Sequence, residues 1–346
     1  MIKNLKEKVV SLWNKIANSI FFFFALVLFS TSALIYLGFG TSARAALIEQ
    51  MLHREQVIAR SGAHSIESFL NLFGISLNVL SNTTLTQENL DSFVDDWKET
   101  SITGVILTDR EGATLANSTR SGESGVGVDL SDRDYFIWAK TAKKGEIYVS
   151  SPMLSRIGTS KGEYIILIAT PIIKNDKFQG VLAGSVLLSE LTWDYLDPLR
   201  ISEATRIYLI DQDGVVLSSR VTRLIGVNYI DYLNSNPFLG SKAAAPTLKK
   251  ALESKEEGKI DIVLQNENNL KLTRYLIAYT PVETDSGTRH WILAVATPIN
   301  DALVFMGPIY ARQMVAVIVA FLAVLALGIR LAKVIAYREA SQKSSK

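Results

Sequence analysis

One arginine keeps the company that small-molecule recognition requires. Arg133 is followed by Tyr135, Phe136 and Trp138, and then by Tyr148, Ser150 and Ser151. A guanidinium stays charged at any physiological pH and presents a planar fork of donors suited to a carboxylate. Aromatic rings supply apolar walls and hydroxyls supply further donors, which together make the composition of a small-anion pocket. The competing reading is a surface turn on which Arg133 pairs with Asp132 or Asp134.

Catalytic chemistry has little to stand on. The chain contains no HExxH and no P-loop, and His53, His64 and His290 are far apart in sequence. On a helix, His53 and His64 share a face three turns apart, too far for one metal. Gly158-Thr159-Ser160-Lys161-Gly162 spells G-x-S-x-G. A nucleophile elbow needs a strand before that motif and a helix after it. A strand-like run starting at Tyr164 follows instead, so the motif reads as a polar turn between strands. Cysteine is absent, which excludes a disulfide framework and a thiolate metal site. The expectation is a protein without catalytic residues, metal or cofactor. With 20% charged residues and a net charge of +2, neither disorder nor a nucleic-acid-binding body fits.

The charges are unevenly placed, and their positions set the architecture that must hold the site. Lys3, Lys6, Lys8 and Lys15 oppose only Glu7 at the start. Arg330, Lys333, Arg338, Lys343 and Lys346 oppose only Glu339 at the end. Inside these flanks lie two uncharged runs, Ile20 to Phe39 and Gln313 to Ile329. About 20 apolar residues cross ~30 Å of hydrocarbon. The first run is longer than a signal-peptide core, and Arg330 and Lys333 can snorkel from the end of the second. Transmembrane helices are therefore expected at 16–41 and 313–331. Basic flanks stay cytoplasmic, which puts residues 1–15 and the tail 332–346 inside and 42–312 outside, across a bacterial inner membrane. The few residues after the second span leave no room for an output domain. Either a separate signalling protein or a homodimer carries the signal, or the sequence is the sensory half of a larger receptor. An envelope scaffold that binds no ligand is the third possibility.

Residues 42–81 carry Ile66, Phe69, Leu70, Phe73, Leu77 and Leu80 at helical spacing with no proline, predicting one long helix with an apolar stripe. Beyond it a series of short strands occurs twice. Gly104–Asp109 leads through Arg110-Glu111-Gly112 into Ala113–Asn117, and Arg206–Asp211 leads through Gln212-Asp213-Gly214 into Val215–Ser219. An Asp three residues before a Gly, between apolar runs, is hairpin chemistry. An anchor follows each hairpin: Asp134-Tyr135-Phe136, then Asn236-Pro237-Phe238. Next come Lys144–Tyr148 and Glu257–Asp261, then Tyr164–Pro171 and Tyr275–Pro281, then closing runs Gly180–Leu188 and Trp291–Ala296. Two copies of one antiparallel α+β module are expected.

That order, with Asp132-Arg133-Asp134-Tyr135-Phe136, Gly145–Ser150 and Thr170-Pro171, resembles the double Cache sensor domain of bacterial receptors over roughly residues 42–305. The resemblance implies an α+β fold in which a long N-terminal helix carries two PAS-like antiparallel-sheet modules in tandem. The membrane-distal module would be 82–192 and the membrane-proximal one 193–312, with the ligand in the distal module. The family's amino-acid-binding branch has Tyr, four residues, Arg, one residue, Trp-Tyr, and a later Asp that holds the ligand's ammonium. Here Val128, Tyr135, Phe136 and Ser185 stand at the Tyr, Trp, Tyr and Asp positions, and Arg133 alone matches. The resemblance therefore implies a ligand with an acid group and no amine, contacted by Arg133, Tyr135, Phe136, Trp138, Tyr148, Ser150 and Ser185.

Overall fold

A computed structural model describes the backbone of residues 2–158, 160–235, 239–265, 271–284, 290–302, 304 and 306–344; the side chains of residues 2–25, 28, 32, 34–41, 239–243, 265 and some others from 302 onward lie outside the description. The chain divides into two units, residues 50–301 and residues 1–49 with 302–346.

Helix α1 runs from Ile2 to Ser81 without interruption, so it starts far before the residue 42 expected from the stripe. No proline occurs before residue 152 to break it. The expected stripe is buried: Ile66, Phe73 and Leu77 are fully inaccessible, and Phe69, Leu70 and Leu80 nearly so. At the helix end the hydroxyls of Ser81 and Thr83 donate to the carbonyls of Asn78 and Leu80, occupying acceptors that the last turn leaves free.

The first sheet follows α2 (Gln87–Asp96) and contains β1 (Ile102–Thr108), β2 (Thr114–Thr119), β3 (Tyr148–Val149), β4 (Met153–Leu154), β5 (Tyr164–Lys174) and β6 (Lys177–Leu187), with α3 (Asp134–Ala139) inserted between β2 and β3. Its order is β2-β1-β6-β5-β3, with β4 also on β5. A short helix, α4 (Leu188–Leu191), leads to β7 (Arg206–Asp211) and β8 (Val216–Ser219) of the second sheet. Helices α5 (Tyr229–Ser235) and α6 (Leu239–Ser254) precede β9 (Gly258–Gln265), β10 (Leu272–Glu283) and β11 (His290–Pro298). That sheet reads β8-β7-β11-β10-β9. With β7, β8, β9, β10 and β11 matched to β1, β2, β3, β5 and β6, the two orders are identical, as the repeated run of motifs requires. After α7 (Ile299–Ala302), α8 spans Met306–Ser344.

Both hairpins form as their turn residues dictate. The Asp109 carboxylate accepts from the amides of Glu111, Gly112 and Ala113, and that of Asp211 from Asp213 and Val215. Gly112 and Gly214 supply the left-handed backbone, with φ of 101° and 85°. The second anchor, Asn236-Pro237-Phe238, lies outside the described residues.

The α1 stripe packs against one face of each sheet. Val105, Ile166, Ile168, Leu182 and Val186 of the first and Ile207, Leu209, Leu293 and Val295 of the second share its core. Contact is close enough that a Cβ on Gly184 would fall 2.3 Å from the Phe73 ring. Each sheet therefore keeps its other face for something else, and the candidate sites lie there.

In the other unit, Phe29 of α1 and Phe321 of α8 meet with ring centroids 4.9 Å apart. Among the described residues no helix is long and apolar enough to cross a membrane. Most side chains of the expected first span, 16–41, lie outside that description.

Candidate functional site

The free face of the first sheet closes over a cavity of about 460 Å3, counting its open mouth. Gly104 and Ile106 of β1, Ile165 and Leu167 of β5 and Ser185 of β6 form its floor, because period-2 alternation sends their neighbours to the α1 side. The segment from Leu130 to Tyr135 and the loop from Met153 to Ser160 close it.

Arg133 is the N-cap of α3, with φ −77° and ψ 140°. One Nη of its guanidinium donates to the Leu154 carbonyl at 3.1 Å. Its Nε is buried and has no partner. Tyr135, one turn into α3, is fully buried, and its hydroxyl also lacks a partner. Burial pushes the Tyr135 phenol far above its ordinary pKa, outweighing the opposing field of Arg133. The group therefore stays a neutral O–H donor. Both residues line the same cavity, and each carries a buried donor without a partner, one of them on a cation. Buried donors without acceptors are uncommon in folded proteins.

The cavity is held by charges around its rim. Arg156 grips Asp132 through both terminal nitrogens at 2.7 and 2.6 Å and donates to the Asp129 carbonyl at 3.2 Å. That fork holds the Asp132 carboxyl below the ordinary range. It ties the loop after β4 to the turn before α3, so the partners of the competing surface-turn reading are distributed differently: Asp132 pairs with Arg156, not with Arg133. The Asp134 carboxylate accepts from the Tyr135 amide at 2.7 Å, the Tyr148 hydroxyl at 3.2 Å and the Ser151 amide at 3.3 Å. This knot fixes the start of α3 and with it the direction of Arg133 and Tyr135.

Of the seven residues singled out in the sequence, the structure brings Arg133, Tyr135 and Ser185 into the cavity. The Ser185 hydroxyl is 2.7 Å from that of Thr103 and donates to the Gly104 carbonyl at 3.2 Å. Four residues lie elsewhere. Phe136 is rotated ~100° from Tyr135 by the helix and packs edge-on against Phe178, centroids 5.8 Å apart. Trp138 stacks on Tyr148 at 5.0 Å, and the Tyr148 hydroxyl is spent on Asp134. Ser150 donates to the Ser151 carbonyl and accepts from the Leu167 amide, both at 2.8 Å, so its hydroxyl mends a strand irregularity. These four support the site from behind.

Sequence reasoning missed Arg156, Thr103, Ser155 and the apolar lid of Met153 and Leu154, all of which line the cavity. Arg156 sits just before the G-x-S-x-G letters, and a basic residue in a Gly- and Ser-rich loop was the available signal. That motif is a turn between β4 and β5. The Ser160 hydroxyl donates to that of Ser155 at 3.1 Å, and Gly158 has φ 70° with Thr119 only 2.8 Å from where a Cβ would sit. Among the described lining residues there is no Asp or Glu, and both charged ones are arginines.

A family model described as "Cache domain" matches residues 39–305. Methyl-accepting chemotaxis protein X is similar in structure, with 16% identity, 72% of this chain and 98% of that chain covered, and a TM-score of 0.57. The ligand-binding domain of Pseudomonas fluorescens chemoreceptor CtaA in complex with L-serine has 15% identity, coverage of 73% and 99%, and a TM-score of 0.53. The ligand-binding domain of the Pseudomonas aeruginosa PAO1 amino acid chemoreceptor PctB, in complex with L-Arg, has 16% identity, coverage of 76% and 93%, and a TM-score of 0.54. No curated protein matches the sequence.

Proposed function

This chain belongs to the double Cache family of sensor domains, and from that premise we propose that it is the sensing part of a bacterial membrane receptor, binding a small organic carboxylate on the first sheet with Arg133 as the anion clamp. The observation that carries the reading is the pair of orphaned donors, Arg133 Nε and the Tyr135 hydroxyl, in one cavity. An acceptor with two lone-pair oxygens satisfies both, and charge-assisted bonds to a guanidinium are the stronger kind. The CtaA and PctB domains are in complex with amino acids. Here the described lining holds two arginines, no acid and Ser185 where the resemblance expects an Asp, so an ammonium group would meet no counter-charge among these residues and would be costly to bury.

The module boundaries 82–192 and 193–312 belong to this proposal, as does the anchoring of the chain by 16–41 and 313–331. Side chains from Met314 to Ile329 support the anchoring: Val315, Val319, Leu322 and Leu327 are each more than half exposed, an apolar surface that water disfavours and acyl chains do not. Basic flanks then place both termini in the cytoplasm and 42–312 outside. Occupancy would be passed on within a homodimer or to a separate signalling protein.

The test uses the full chain in lipid nanodiscs. Thermal unfolding is followed against short mono- and dicarboxylates, the matching amino acids and the matching amines. A carboxylate should stabilise the chain and the amine should not. Arg133→Ala should weaken binding at least tenfold, since charge-assisted bonds contribute roughly 1.5–3 kcal/mol and ~1.4 kcal/mol is one decade. Arg133→Lys should also lose affinity, because an ammonium cannot reproduce the fork. A ligand that proves to be an amine, or an acid that Arg133→Ala binds as well as the parent does, sinks the reading.

A further inference from the structure

The second sheet has its own cavity on the corresponding face, and its chemistry is different. It lies between β7, β9, β10 and β11 on one side and α5 and α6 on the other, with about 820 Å3 of space counting its mouth. Ile210, Ile262, Ile277, Leu233 and Leu248 dominate the wall, with Ala294 at the back. Tyrosines 208, 229, 275 and 279 add rings, and Tyr208 and Tyr229 stack with centroids 5.6 Å apart. Protein interiors fill such space to crystal-like density, yet α5 and α6 stand off the sheet here. An apolar hollow with a built aromatic wall is the form that small-molecule sites take.

Among the described residues, one charged side chain lines it. Counting back from the turn aspartates Asp109 and Asp211, Arg206 occupies the position of Gly104. Gly104 pairs with Ser185 and Arg206 pairs with Ala296. The repeat therefore exchanges a glycine and a serine for an arginine and an alanine: the hydroxyl is lost and a cation gained. Arg206 is half-buried, and its guanidinium donates to the Glu203 carbonyl at 3.3 Å. Among the described residues it has no carboxylate partner, and no Asp, Glu or Lys lines the cavity. Among the described lining residues the distinctive feature is a single positive charge against an apolar volume.

From this geometry we infer that the second module is a separate binding site for a hydrophobic monocarboxylate, with the apolar body against α5, α6 and the sheet and the carboxylate at Arg206. Nothing in this inference depends on the ligand of the first cavity. An amphipathic acid satisfies both halves of the site. A cation leaves Arg206 opposed by like charge, and a polyol or amino acid wastes the apolar wall.

The probe is octanoate bearing a diazirine, photo-crosslinked to the full chain in nanodiscs, with adducts located by peptide mass spectrometry. Adducts are expected on α5, α6 and β10. Octanoate should compete at least tenfold better than octanol, and octylamine worse than either. Arg206→Gln should erase the preference for the acid over the alcohol while leaving the melting temperature within a few degrees. Ala294→Leu should abolish labelling by filling the cavity, and Ala244→Met fills it from the helix side should the first variant not fold. The inference is overturned by adducts confined to 16–41 and 313–331 or to the first module, by octanol competing as well as octanoate against the parent chain, or by a folded filling variant that labels like the parent.

Discussion

Burial gives Tyr135 two opposed consequences. Its ring is a full-sized member of the packed cluster beneath α3, whereas its hydroxyl is sealed off without an acceptor. An unsatisfied buried polar group costs roughly 1–3 kcal/mol. Tyr135→Phe removes that cost and keeps the ring, so without ligand the variant should melt at or above the parent temperature. With a carboxylate bound, the same hydroxyl becomes a donor, and the variant should bind about fivefold or more weakly, in line with a neutral hydrogen bond of about 1 kcal/mol. Unfolding curves of both forms with and without ligand check it. A variant that is less stable and binds equally well would show that the hydroxyl faces the protein. At this scale the sequence was informative for Arg133, whose charge had to go somewhere, and for Ser185 through the resemblance. It named Tyr148 and Ser150 as contacts but could not show that their hydroxyls meet Asp134 and the Leu167 amide, partners that only the folded chain brings near.

Elements explain how those residues are held, and α1 is the element that both sheets share. Glu55 lies on it, fully inaccessible, with neither carboxyl oxygen hydrogen-bonded in good geometry. Burial pushes its pKa up to about 8; Thr297 and Arg54 oppose this only in part. The folded pKa is thus above the unfolded value. Below about pH 4.5 both states hold the proton and there is no penalty. Between there and pH 8 the unfolded chain ionises while the folded one does not, so stability falls as pH rises, by at most ~1.4 kcal/mol per unit. Glu55→Gln should flatten the melting temperature between pH 5 and 8 and raise it at pH 8. Identical slopes in both proteins would place the Glu55 carboxyl in water. The contact between α1 and the first sheet makes a second demand. A methyl on Gly184 would strike the Phe73 ring, and overpacking a core costs about 1–3 kcal/mol. Gly184→Ala should lose that much in chemical denaturation, and adding Phe73→Leu should recover part of it; additivity of the two losses would refute the contact. The helix stripe, both Asp-Gly hairpins and the repetition of the strand series along the chain were legible because local spacing encodes them; the order of the strands within each sheet was not. The cavities were not, since they arise where α3, α5 and α6 stand off a sheet, and standoff distance leaves no periodic trace.

At the scale of the whole molecule, the argument turns on where the charges can go. Lysines 3, 6, 8 and 15 precede one uncharged run, and Arg330, Lys333 and Arg338 follow the other. If both runs cross a bilayer, the basic ends must lie on one side and the Cache segment on the other, because Lys and Arg near a span stay cytoplasmic. The segment between them is too long for its own charges to set the orientation. Met314, Ile318, Leu322 and Ile329 of α8 are about half exposed or more, a surface that suits an apolar surrounding. A reporter that is active only outside the cytoplasm should therefore work when inserted after Ser219, which ends β8, and fail when fused after Lys346. A cytoplasmic reporter should show the reverse. Replacing Lys3, Lys6, Lys8 and Lys15 with glutamine should weaken the orientation without touching the residues of either cavity. If the insertion after Ser219 is silent outside and the fusion after Lys346 is active there, the chain is not anchored by 16–41 and 313–331 in this sense. The sensing module would then have to face the cytoplasm.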